Sequence, residues 1–188
     1  MRNDKIIIVD ENDNIIGLGQ KTEVHLTGKL HRAFSTIVIN NRGEMLLQKR
    51  ADCKYHSGGL WTNSFCSHFL ENETVEEAFE RAGKNELGTN FSRYKFLGKF
   101  KYKVRIGTLY EHEVDYVYLI RYAGEKIEVN TEEVSEIKWY DFNECIREVK
   151  ENPRKFTEWF RLIMFNKDFI KKMKTELENL KGGEVYES

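Results

Sequence analysis

Two hydrophobic rhythms run along the chain. The first half reads as strands: KIIIVD and NIIGLGQ flank Asn12, Asp13 and Asn14, a hairpin signal. AFSTIVIN and EMLLQKR flank Asn41, Arg42 and Gly43 and predict a second hairpin. A long loop, ADCKYHSGGLWTN, follows, and its length and paired glycines mark it as a candidate functional loop. Thr74 with Glu77 forms a capping box and Gly88 a stop signal, which predicts a helix over 75–87. YKFLGKFKYKV alternates with period two, EHEVDYVYLIR reads as a largely buried strand, and IKWYD is a shorter one. Asp141 with Glu144 caps a helix that runs toward Pro153, and Thr157 opens an amphipathic helix over 157–180. A mixed sheet with three helices predicts an α+β fold, an α/β/α sandwich, in a single domain over 1–188.

Composition narrows the class. Apolar residues are 40% and aromatics 13% of 188 residues, a globular balance long enough for a real core. Thirty basic and 31 acidic residues leave a net charge of −1, so no nucleic-acid or membrane surface is expected and any basic site must be local. No apolar run approaches membrane-spanning length, and no N-terminal signal pattern is present. Three cysteines without CxxC spacing argue against a disulfide framework and for a reducing cytoplasm. Cys145 reads as a buried hydrophobe within DFNECIREVK, and Cys53 as a free surface thiol in a charged loop.

Only Cys66 has chemically suggestive neighbours. In WTNSFCSHF it stands two residues before His68, and both share a face if the segment is extended. Buried strand, metal corner and nucleophile beside a base all fit that spacing. Glu111 and Glu113 share a strand face by the same rule, with His112 opposite. They are either charges on an exposed edge or ligands, and the apolar continuation VDYVYLI favours a cation to offset their burial. His25 and His31 flank the start of the AFSTIVIN strand, and His68 adds a third imidazole; His56 and His112 look incidental. Three histidines and two carboxylates form a set suited to a divalent transition metal, zinc or manganese.

Glu73, Arg81, Glu86 and Gly88 keep the spacing of the Nudix box, G-x5-E-x7-R-E-U-x-E-E-x-G-U. Ser67 replaces its first glycine, and Ala82 and Asn85 replace two of its glutamates. Glu86 remains, enough for one magnesium held jointly with phosphate oxygens. WTNSFCSHF, this acid-poor box and EHEVDY, extended by LHRAFS, LLQKRADCKYHSGGLWTN and KFTEWF, resemble the type I isopentenyl diphosphate isomerases. The likeness runs from residue 21 to about residue 159, with the segments in family order.

The resemblance implies a Nudix-like mixed sheet flanked by helices, with an added N-terminal hairpin and C-terminal helix. It implies a proton-shift isomerase acting on an isoprenyl diphosphate, as a monomer or weak dimer. Cys66 would be one acid–base group, and Glu113 assisted by Tyr102 the other. His25, His31, His68, Glu111 and Glu113 would bind one Mn2+ or Zn2+. Glu86 and the Cys66 carbonyl would bind Mg2+ with the diphosphate, Lys21, Arg50 and Lys54 would grip that diphosphate, and Trp159 would lie beside the isoprenyl group. Ala82 (where many members carry a second arginine), HSGG and Phe69 depart from the family pattern, and they bear on affinity rather than reaction type. A Nudix hydrolase and a non-catalytic diphosphate-binding Nudix module are the alternatives.

Overall fold

The computed structural model describes residues 5–182, with side chains to residue 180. The ends of the expected 1–188 domain, residues 1–4 and 183–188, lie outside the described residues. In chain order come β1 (Lys5–Val9), β2 (Ile15–Gln20), α1 (Lys21–Thr27), β3 (His31–Ile39), β4 (Glu44–Arg50), β5 (Trp61–Thr62) and β6 (Phe65–His68). Then follow α2 (Val75–Leu87), β7 (Tyr94–Ile106), β8 (Leu109–Arg121), β9 (Val134–Asp141), α3 (Phe142–Glu151), α4 (Glu158–Phe165) and α5 (Lys167–Gly182).

β3 is apolar on both faces in its second half, and Phe34, Ile37, Val38 and Ile39 are at most 2% exposed. Such a strand needs neighbours on both edges and cover on both faces. β8 runs parallel along one edge, in register from His31 opposite Glu113 to Ile39 opposite Arg121. On the other edge β6 pairs antiparallel, with Ala33 opposite His68 and Ser35 opposite Cys66. FCSH is therefore extended, as its shared-face reading requires.

The first expected hairpin forms: β1 and β2 pair antiparallel from Lys5 opposite Gln20. The second does so only at its turn. Gly43 N–H donates to the Asn40 carbonyl at 3.0 Å, yet only Ile39 opposite Met45 joins β3 to β4 in register. Beyond that pair the strands diverge, because β3 is taken by β6 and β8 and β4 by β5 and β9. β7 and β8 make the long hairpin, which sets Tyr102 directly opposite Glu113.

Helices cover both faces. Ala78, Phe79 and Leu87 of α2 pack with Phe34, Val38 and Leu46 on one side. On the other, α3, α4 and α5 bury Cys145, Phe160 and Phe169 with Ile37, Ile39 and Leu47. The α/β/α sandwich is as expected, but five helices form among the described residues where three were predicted. α1 is an unpredicted short helix ending at Gly28 in the left-handed conformation. The single helix expected over 157–180 is two. Asn166 breaks it, and its Oδ1 accepts from the N–H groups of Asp168 and Phe169 at 3.0 and 3.2 Å, capping a new helix.

Helix α2 is held at both ends. The Thr74–Glu77 capping box forms at its start. At its end, the Glu86 and Leu87 carbonyls accept from the Asn130 and Glu128 N–H groups. Gly88 follows at φ +67°, where an added Cβ would stand 2.3 Å from the Glu128 carbonyl oxygen. Gly107 has a similar φ of +62° but open space around it. Left-handed strain of about 1–2 kcal/mol is common to both positions. Gly88→Ala should therefore destabilise the protein more than Gly107→Ala, a ranking that urea unfolding of the two variants will test.

Candidate active site

Four elements converge on one buried cluster. α1 supplies His25, β3 His31, β6 His68, and β8 Glu111 and Glu113 on one face. All five are at most 8% exposed, and each offers a ligand atom within 4.8 Å of the others. Main-chain carbonyls select the tautomers of two rings. His25 Nδ1–H donates to the Lys21 carbonyl at 2.7 Å, and His31 Nδ1–H to the Lys29 carbonyl at 2.9 Å. In the neutral rings each Nε2 then bears a lone pair, and both nitrogens are buried without a hydrogen-bond partner. Glu111 Oε2 and Glu113 Oε1 stand 3.4 Å from these nitrogens. Lone pairs facing buried carboxylates need positive charge on or between them. Burial, reinforced by Lys21, holds His68 well below the usual imidazole range, so that ring is neutral. The donor set fits a divalent cation with nitrogen and oxygen ligands.

Beside the cluster lie the candidate proton carriers. Tyr102 Oη donates to Glu113 Oε2 at 2.6 Å. Burial, with Glu113 next in effect, pushes the phenol well up, so it remains a donor. Glu113 is itself raised, by burial first and the Glu111 charge second. Cys66 lines the same cavity, of about 310 Å³, as Tyr102 and Glu113. Burial and then Glu86 push its thiol well up, so the sulfur keeps its proton. Ser35, next to Cys66 across the β3–β6 pair, donates to Asp115 Oδ2 at 2.8 Å. Asp115 is fully buried on the Glu111–Glu113 face; strand alternation past Glu113 was the signal that could have found it.

Lys21, Arg50, Lys54 and Glu86 line the rest of that cavity. Glu86 accepts from Gln48 Nε2 at 2.5 Å, and its burial raises it to about 7. Lys54 already has a partner in Glu133 Oε2 at 2.5 Å, an acid that no sequence pattern marked. Arg81 and Glu73, the other charged positions of the box, serve as pins. Arg81 Nε meets Glu73 Oε1 at 2.6 Å, while its two terminal nitrogens donate to Ser67 Oγ and the His68 carbonyl. They fasten α2 to β6 and leave Glu86 as the box carboxylate that faces the cavity.

Trp159 forms one wall. Its Nε1–H donates to Asn63 Oδ1 at 3.1 Å, and Thr62 and Thr157 complete a buried network around it. The Arg50 guanidinium lies 5.3 Å from the indole centroid. His56 overturns its sequence reading as incidental: its Nε2 lies 2.9 Å from Glu111 Oε1. His112 does stay outside the cluster, bonded through Nδ1 to the Gly28 carbonyl.

Residues 29–160 match the NUDIX domain family. An isopentenyl-diphosphate Delta-isomerase of Serratia proteamaculans is 41% identical over 160 residues, covering 85% of this chain and 88% of that one. An isopentenyl-diphosphate Delta-isomerase 2 of Photorhabdus laumondii is 39% identical, covering 85% and 89%. The chain belongs to the isopentenyl-diphosphate Delta-isomerase family of NUDIX proteins. One of Aliivibrio fischeri is 36% identical and spans 93% of this chain and 97% of its own. DR0079 from Deinococcus radiodurans superposes with a TM-score of 0.69 at 17% identity, covering 85% of this chain and 96% of its own.

Within this isomerase-family chain, α2 turns Ala82 and Asn85 toward the cavity at positions where the Nudix box has glutamates. No helix among the described residues is long and apolar enough to cross a membrane. The orphaned imidazole nitrogens generate the expectation that purified protein holds about one divalent ion per chain, measurable by elemental analysis. A ligand present at 100 times its Kd stabilises a fold by about 2.7 kcal/mol. Chelation should accordingly lower the melting temperature, and re-addition of metal should restore it. Melting indifferent to chelator would mean that protons, not a metal, satisfy the cluster.

Proposed function

We propose that this protein interconverts isopentenyl diphosphate and dimethylallyl diphosphate by moving a proton, without cutting the diphosphate. The observation that carries this reading is one cavity lined by the thiol of Cys66 and a tyrosine-bonded carboxylate, Glu113. Alkenes are weak bases, so protonation requires a positioned acid shielded from water. In the direction of dimethylallyl diphosphate, one of the two groups adds a proton to the terminal methylene carbon. The other accepts a proton from the carbon next to the one bearing the diphosphate. Tyr102 Oη holds Glu113 Oε2 in place, and Cys66 Sγ is the second proton carrier.

A tertiary carbocation has no oxygen to share its charge. The indole of Trp159 can stabilise it by cation–π attraction, worth about 2 kcal/mol when desolvated. Asn63 supports that role by fixing the indole edge. Lys21, Arg50 and Lys54 bind the diphosphate, Lys54 exchanging Glu133 for a phosphate oxygen. His25, His31, His68, Glu111 and Glu113 would hold zinc or manganese, and Glu86 with the Cys66 carbonyl would hold magnesium. Bound cations supply charge that tunes carboxylate basicity and neutralises phosphate oxygens.

Action as a monomer or weak dimer, in a single NUDIX-like domain, is part of the same proposal. A working thiol suits the reducing cytoplasm.

Cys66→Ala and Glu113→Gln should each lower turnover by about 10²–10⁴-fold, the usual contribution of a proton-transfer group. Cys53→Ala, at an exposed thiol, should leave it within a few-fold. Near-normal turnover by Cys66→Ala would make that thiol structural.

Incubation with isopentenyl diphosphate and magnesium in deuterium oxide tests the reaction itself. Deuterium should enter the new methyl group of dimethylallyl diphosphate while the diphosphate stays whole, both visible by NMR. Released phosphate without carbon-bound deuterium would point to a hydrolase instead.

A further inference from the structure

His56 lies in the loop 51–60, whose shape turns it inward. Two main-chain bonds close the neck of this loop: Arg50 N–H donates to the Leu60 carbonyl at 2.9 Å, and Gly59 N–H to the Arg50 carbonyl at 3.0 Å. Ser57 and Gly59 take positive φ values of +52° and +73°, and an added Cβ at Gly58 would lie 2.7 Å from the Asp52 carbonyl oxygen. The result is a tight turn, and the His56 side chain is only 7% exposed.

Its position differs from those of the three clustered histidines. Their rings lie 4.8–5.0 Å from one another, and their ligand atoms belong to the five-residue group, which does not include His56. His56 instead faces the other oxygen of the same carboxylate. Glu111 Oε2 looks into the cluster toward His25, while Oε1 receives His56 Nε2 at 2.9 Å. A carboxylate only accepts, so His56 Nε2 carries the hydrogen and donates it. The ring is further fixed edge-on, at 4.4 Å from Tyr55 and 6.0 Å from Trp159, centroid to centroid.

We propose that His56 is a positioning residue for the metal cluster: its Nε2–H occupies Glu111 Oε1, so that only Oε2 is presented as a ligand. Without that donor, the carboxylate would turn about its last torsion and offer either oxygen, or both. A group that orients a ligand in this way typically contributes about 10- to 100-fold in metal affinity. The same ring packs edge-on against the Trp159 indole, so the loop joins the cluster to that wall of the cavity. This inference rests on the metal reading proposed above, but not on the identity of the substrate.

The test uses cobalt(II) as the probe, titrated into the chelator-stripped full chain and followed by its visible absorption. His56→Phe keeps an aromatic ring against Trp159 and removes the donor; His56→Gln loses the ring but places an amide N–H near the position of Nε2. His56→Phe should bind cobalt about 10- to 100-fold more weakly and with an altered absorption band, whereas His56→Gln should stay within about threefold of the parent. Unfolding of the stripped variants separates this effect from damage to the fold. Parent-like affinity and spectrum in His56→Phe, or equal weakening in both variants, would overturn the assignment and leave the isomerase reading untouched. A parent protein that takes up no cobalt would overturn the metal cluster and His56's role together.

Discussion

The parallel pairing of β3 with β8 fixes where the buried acids of the cavity stand relative to His31. It puts His31 opposite Glu113 and aligns the alternate residues of both strands on shared faces. A slip of one residue would turn Glu111, Glu113 and Asp115 toward α2, where Val114 and Tyr118 now pack. What resists that slip lies further along the same strands. Ile37, Ile39, Val117 and Leu119 share the core beneath α3–α5. One strand face is thus apolar at one end and acidic at the other, and the apolar end holds the acidic end in register.

The cavity brings opposing chemistries together at close quarters. Glu111 and Glu113 meet imidazole nitrogens, while Glu86 and Glu133 lie among Lys21, Arg50 and Lys54. The whole chain is nearly neutral at −1, so this basic patch is a local product of folding. The Nudix box has been divided between two tasks. Its Glu73–Arg81 pair ties a helix to a strand, and Glu86 keeps a carboxylate for the cavity. Ala82 and Asn85, standing where the box has acids, therefore leave that fastening intact.

Local signals were legible in the sequence and long-range ones were not. The Thr74–Glu77 box and Gly88 bounded α2 correctly because capping depends on a few neighbouring residues. Alternation placed Glu111 and Glu113 on one face, and the three histidines and two carboxylates come together as the pattern suggested. The β3–β4 hairpin misled because its turn is local, whereas the partners of β3 come from residues 65–68 and 113–121. α1 is too short to show a periodic stripe. Asn166 resembled any polar residue on a helix face until its side chain was seen to cap a second helix. His56 and Glu133 sit where the chain has no period at all, and only the path of their loops brings them to the cavity.

The tautomers of His25 and His31 are fixed by peptide carbonyls, groups that every amino acid possesses. Their orientation is therefore independent of the genetic code at the residues that provide it. Lys21 carries this furthest, since its carbonyl orients His25 while its ammonium-bearing side chain lines the cavity. Evolution can retune the second role by exchanging the side chain, and the first is inherited unchanged. A change of side chain at position 21 would alter the charge lining the cavity without altering how the His25 ring is aimed.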